Sequence, residues 1–142
     1  SVETTGSLTG STLTLKNNLV ASQGSFTTNV IAPNIASWST VSGSTTIASG
    51  NGYITGSTAR VVFTLPTSMS QGNIFKITGS ESGGWSLKQN ANQFINFGNI
   101  STTVGTTGSL HSNNRYNSVE LVCTRAGSEW NVISSVGTIG VK

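Results

Sequence analysis

A chain of 142 residues with 35% hydrophobic and only 8% charged side chains is one domain, or one domain with an appendage. Ser and Thr supply about three residues in ten, and with 17 glycines, three Trp, five Phe and two Tyr they make a turn-dense, β-rich composition. That composition excludes a coiled coil, a helical bundle and a charge-rich disordered chain. Seven bases against four acids give +3, but Lys16, Arg60, Lys76, Lys88, Arg115, Arg125 and Lys142 are scattered. Nucleic-acid binding needs phosphate contacts from one clustered face, so no nucleic-acid partner is expected. No apolar run approaches spanning length, so no membrane insertion is expected either.

From Ser1 to Ser37 the chain is sparse. Thr12 to Lys16 alternates with Leu13 and Leu15 on one face, Asn17-Asn18 turns, and Leu19-Val20-Ala21 reads as a short strand. Ser22-Gln23-Gly24 turns again, and Phe26, Thr28 and Val30 alternate toward Ala32-Pro33. Strands this short bury too little surface alone and call for identical neighbours, three copies about one axis being the economical solution.

From Trp38 the pattern is denser. Asn51-Gly52 is a hairpin-turn signal before Tyr53-Ile54-Thr55. Val61, Phe63 and Leu65 alternate with Val62 and Thr64 until Pro66, which cannot donate to a ladder. Phe75 and Ile77 share a face, Gly83-Gly84 turns into Trp85 to Gln89, and Phe94 to Phe97 is a further strand. Ser101 to Ser109 reads as a loop, and Val119, Leu121 and Cys123 then oppose Glu120, Val122 and Thr124. Ala126-Gly127-Ser128 turns into Trp130 to Ile133, and Val136 to Val141 is a last candidate strand, free to complete its own sheet or a neighbour's. Short strands at this spacing predict an all-β antiparallel sandwich, jelly-roll-like, over 38–142, with an extended shaft-like β segment over 1–37.

The residue set argues against an enzyme and against cofactors. One His, one Cys and no Asp give neither a zinc site nor a carboxylate-rich metal site. A triad would need a Glu to orient His111, whose neighbours Ser112-Asn113-Asn114 read as an exposed turn. Glycoside cleavage needs paired carboxyl groups, whereas Glu81, Glu120 and Glu129 read as solvated positions. Cys123 reads as a buried small hydrophobe, and Asn99-Ile100-Ser101 as a surface-loop sequon.

Glycan binding without cleavage needs an aromatic face beside amides and hydroxyls. Trp85 with Asn90, Asn92 and Gln93 is one candidate group, and His111, Asn113, Asn114, Arg115 and Tyr116 are the other. Against this, Trp85 shares a strand face with Leu87 and reads first as core. Trp38 and Trp130 read first as core or inter-subunit packing, and any surface they expose would be the exception of interest.

The stretch from Leu13 to Ile35, with its Asn/Gly turns and Ala32-Pro33 step, resembles the shaft repeats of bacteriophage tail fibres. Asn51 to Ile54, Val62 to Pro66, Gly83 to Ala91, Phe97-Gly98-Asn99, Gly108-Ser109-Leu110, Tyr116 to Cys123 and Ser135-Val136-Gly137 resemble a module at the C-terminal ends of phage fibres and large bacterial surface proteins. The resemblance implies a homotrimer, a stalk leading to a β head, in a virion or at a cell surface. Its partners would be copies of itself and a cell-surface glycan, met by multivalent weak contact. Leu13, Leu15, Leu19, Phe26, Val30 and Ile31 would be the subunit-assembly residues. The rival expectation is a secreted filament subunit that polymerises by adding its N-terminal segment to the next subunit's sheet. A monomeric carbohydrate-binding module of a larger enzyme is the third.

Overall fold

The computed structural model describes residues 37–142. The shaft-like segment, Ser37 apart, and the six assembly residues from Leu13 to Ile31 lie outside the described residues. Twelve strands follow in chain order: β1 (Ser37–Val41), β2 (Thr45–Thr46), β3 (Asn51–Thr55), β4 (Val61–Thr64), β5 (Ile74–Gly79) and β6 (Trp85–Lys88). Then come β7 (Phe94–Phe97), β8 (Ile100–Ser101), β9 (Ser109–Ser112), β10 (Ser118–Arg125), β11 (Glu129–Val136) and β12 (Gly140–Val141). No helix occurs among the described residues.

The strands form a seven-stranded sheet, β1-β3-β5-β10-β11-β7-β8, and a five-stranded sheet, β12-β9-β6-β4-β2. The fold is all-β, as the periodicity predicts, but both sheets are mixed rather than antiparallel. The reason lies in the chain's route. The first six strands alternate between the two sheets, so each return to a sheet follows an excursion across the core. Strands related in that way run parallel, because a crossover rather than a hairpin joins them. Thus β1, β3 and β5 are parallel in one sheet, and β2, β4 and β6 are parallel in the other. Here the crossover element is a strand, where a helix is usual.

One apolar cluster lies between the sheets. Val61, Phe63, Trp85, Leu87 and Leu110 enter it from the five-stranded side, and Tyr53, Phe75, Ile77, Ile95, Val119, Leu121, Cys123 and Trp130 from the other. Period-two alternation places them there, since successive side chains on a strand leave opposite faces. The Tyr53 and Phe63 rings meet across the layers at 5.5 Å, and Phe75 meets Trp130 edge-on at 5.4 Å. Burial of each large apolar side chain stabilises the fold by about 1.5–3 kcal/mol.

Three local expectations are corrected. Asn51 and Gly52 are not a hairpin turn but the first residues of β3, and the chain turns one step earlier, where Gly50 has φ +73°. Asn51 instead closes that turn, its Nδ2 donating to the Ser49 carbonyl at 3.2 Å. His111 is not in a turn: it lies in β9, paired with Ser86 and Gly140, and is half-buried. The expected loop from Ser101 to Ser109 is present over 102–108, its two end residues closing β8 and opening β9. The C-terminal run is split, Val136 ending β11 while Gly140–Val141 pairs with β9 in the chain's own sheet. Within β11 a bulge opposite Glu120 and Leu121 leaves Ile133 outside the pairing, and its side chain is exposed.

Candidate functional site

Ser-Trp-Ser-Thr-Val in β1 alternates, so Trp38 and Thr40 leave the outer face of the seven-stranded sheet. Parallel pairing sets Trp38 beside Gly52, which sits beside Lys76 on β5. Lys76 faces Glu120 on β10, and Glu120 faces Ser134 on β11. One row across five strands therefore reads Trp38, Gly52, Lys76, Glu120, Ser134.

Gly52 explains how the indole lies. A Cβ at that position would fall among the indole carbons, 2.6 Å from Cε2, so the ring rests where a side chain would stand. Gly52 has an ordinary backbone conformation and is buried on an outer face because Trp38 covers it. The glycine is therefore a seat for the ring. Away from this seat the side chain meets solvent, and Trp38 is 50% exposed. By contrast, Trp85 and Trp130 are both fully buried.

Beside the indole lies a groove of about 290 Å³, lined by Trp38, Lys76, Thr78, Ser118, Glu120 and Ser134 together with the backbone flanks of Ile77 and Val119. Lys76 Nζ and Glu120 Oε1 are 3.3 Å apart and partly solvated. An ion pair at such exposure contributes less than about 1 kcal/mol to the fold. Its place in the groove gives it another use, as a strong donor and a strong acceptor side by side. Thr78, Ser118 and Ser134 line the same groove. Exposed Val136, paired with Ser118, and Ile133 extend the apolar surface along β11.

The residues expected to contact a glycan are placed elsewhere. Trp85 is core, its Nε1 donating to the Asn117 carbonyl at 3.0 Å, and it offers no face to a ligand. Gln93 is buried, donating to the carbonyls of Pro66 at 2.7 Å and Gly127 at 3.1 Å. Asn90 donates to the Leu65 carbonyl at 2.6 Å. These amides tie loops together at one end of the sandwich, leaving Asn92, with φ +64°, exposed in the turn. The second group lies at the opposite end. Asn113 receives Arg60, Arg115 pairs with Glu81 at 3.1 Å, Asn114 is exposed, and Tyr116 is exposed with φ +64°. The two groups are not one site.

A larger cleft of about 740 Å³ opens between Ile47–Ser49 and Pro66–Ser70, but neither an aromatic nor a charged side chain lines it. Cys123 is buried, and desolvation pushes its thiol above the ordinary value near 9.0, so it stays a neutral hydrophobe. Sequence reasoning passed over Lys76, Glu120 and Gly52 because an outward residue on a strand carries no mark of what crosses beside it. The chain matches no protein-family model and no curated protein.

Proposed function

We propose that this chain is a non-enzymatic fibre protein, extracellular or on a virion, whose β head attaches to cell-surface carbohydrate. The supporting observation is the half-exposed indole of Trp38, seated on Gly52 beside a solvated ion pair and a rim of hydroxyls. Flat aromatic faces with a few fixed polar groups suit ligands that are apolar on one side and hydroxylated around the edge. The homotrimer, the shaft-like segment over 1–37 and a jelly-roll-like relationship for the head belong to the same proposal, on the sequence grounds given above. Three equivalent weak sites on one particle raise avidity without new contacts.

The test is a glycan array probed with the native assembly and with Trp38→Ala, alongside light scattering. Binding by the first and loss in the second, with an assembly mass of three chains, is the expected result. Absence of binding to any glycan would overturn the attachment reading.

One observation favours the filament as a second reading. Among the described residues β1 is an edge strand, paired with β3 alone, and it carries no Lys, no Pro and no bulge. Edges without such guards accept added strands. Long polymers in light scattering and negative-stain images would decide for it.

A further inference from the structure

We infer that the Trp38 groove takes a neutral pyranose, its C–H face on the indole and a vicinal pair of oxygens on Lys76 and Glu120. The inference rests on the attachment reading and names the ligand class within it. Charge is the first argument. The groove carries one cation and one anion 3.3 Å apart, so its net charge is zero. A carboxylate or sulfate entering it would meet Glu120 as soon as it met Lys76, and repulsion by one would offset attraction by the other. An ammonium group would face the mirror of that problem. A neutral ligand meets neither.

Geometry is the second argument. A hydroxyl both donates and accepts, and Glu120 only accepts while Lys76 only donates. Two adjacent ring oxygens satisfy the pair together: one donates to the carboxylate and the other accepts from the ammonium. The nitrogen–oxygen spacing of the pair is comparable to that of gauche vicinal oxygens. A lone hydroxyl must place its one oxygen between both charged groups to bond them, whereas a vicinal pair aims one oxygen at each, so the ion pair favours the diol. Charge-assisted bonds of this kind are stronger than neutral ones, and they replace an ion pair that contributes little to folding.

The third argument is orientation. The indole lies against the sheet on Gly52, with the ion pair next along the same row. A pyranose ring stacked on the indole therefore presents its edge to Lys76 and Glu120. The electron-rich ring face attracts polarised C–H groups, as it attracts other positive partners. The hydroxyls of Thr78, Ser118 and Ser134 are left for the remaining ring substituents.

The experiment is saturation-transfer NMR on the whole chain with methyl pyranosides of glucose, galactose and mannose. A dideoxy methyl pyranoside lacking adjacent hydroxyls, N-acetylneuraminic acid and glucuronic acid complete the panel. The expected result is transfer to at least one neutral methyl pyranoside, abolished in Trp38→Ala and weakened at least tenfold in Glu120→Gln and in Lys76→Gln. The dideoxy sugar and the acids should give little or none. Both ion-pair variants should keep the wild-type melting temperature within a few degrees, because the pair is partly solvated. Trp38-dependent transfer to the acidic sugars alone would overturn the neutral-diol inference and leave attachment standing. Equal transfer to the dideoxy sugar would also overturn it. No Trp38-dependent transfer to any sugar, together with a blank glycan array, would remove the attachment reading itself.

Discussion

Replacing Gly52 by alanine tests whether that glycine seats the indole of Trp38. The added Cβ would stand 2.6 Å from Cε2, whereas carbon atoms pack at about 3.5–4.0 Å, so the ring must retreat by about 1 Å or swing away. An aromatic side chain buries about 150–250 Å² when covered completely, so a half-exposed Trp38 keeps about 100 Å² against the sheet. At about 25 cal/mol per Å² its full release costs about 2.5 kcal/mol, an upper bound. Alanine in a strand returns about 0.5–1 kcal/mol relative to glycine. The expected net loss is therefore about 1–2 kcal/mol, or a melting temperature lower by about 4–8 °C. Iodide quenching reads the ring directly, since the other two tryptophans, Trp85 and Trp130, are fully buried. One emitting class should be quenchable in the wild type, absent in Trp38→Phe and more accessible in Gly52→Ala. An unchanged quenching constant in Gly52→Ala would refute the seat. A wild type with no quenchable class would mean that another surface covers Trp38, as inter-subunit packing requires.

Two further outcomes follow from buried groups. Gln93→Leu strands the carbonyls of Pro66 and Gly127, and urea titration should show a loss of about 3 kcal/mol. Cys123 is buried with a raised pKa, so the folded state holds its thiol proton at pH values where the unfolded chain has begun to lose it. Stability from this group is complete below the ordinary thiol value near 9.0 and declines as pH climbs from there through the raised folded value. The fall in stability from pH 8 to pH 10 should shrink in Cys123→Ala, and a disulfide reagent at pH 8 should label the native wild type only on unfolding. Rapid labelling of the folded chain would contradict the burial.

The core was legible because alternation is a local property. Val61, Phe63 and Leu65, or Val119, Leu121 and Cys123, declare an inward face whatever strand lies beside them. Pairing direction is non-local. Nothing in Tyr53-Ile54-Thr55 says that β3 and β5 are separated by a strand of the opposite sheet, and that excursion makes them parallel. Asn51-Gly52 misled for a related reason: glycine permits a turn, but it equally makes room, and here the room is filled by a residue fourteen positions upstream in the neighbouring strand. Trp85 and Trp38 are indistinguishable by residue type. What separates them is that Trp85 shares its face with Leu87 between two sheets, while Trp38 leaves a strand that, among the described residues, lies at the edge with no second layer on that side.

The alternating winding also ranks the strands by protection. β5 has β3 and β10 on its flanks and inward Phe75 and Ile77 fully buried, while β1 has β3 on one side and only Val41 even partly buried. Each parallel strand in the series guards the next, so opening should begin at β1 and stop before β5. Native-state hydrogen exchange should find amides of Ser37–Val41 protected at least about a hundredfold less than those of Phe75, Ile77 and Leu121. Equal protection would mean that the free side of β1 is paired in solution. Since β1 has no further partner among the described residues, that result would require an added strand, from residues 1–36 or from a neighbouring chain, and protection that rises with protein concentration alongside long polymers would favour the filament reading.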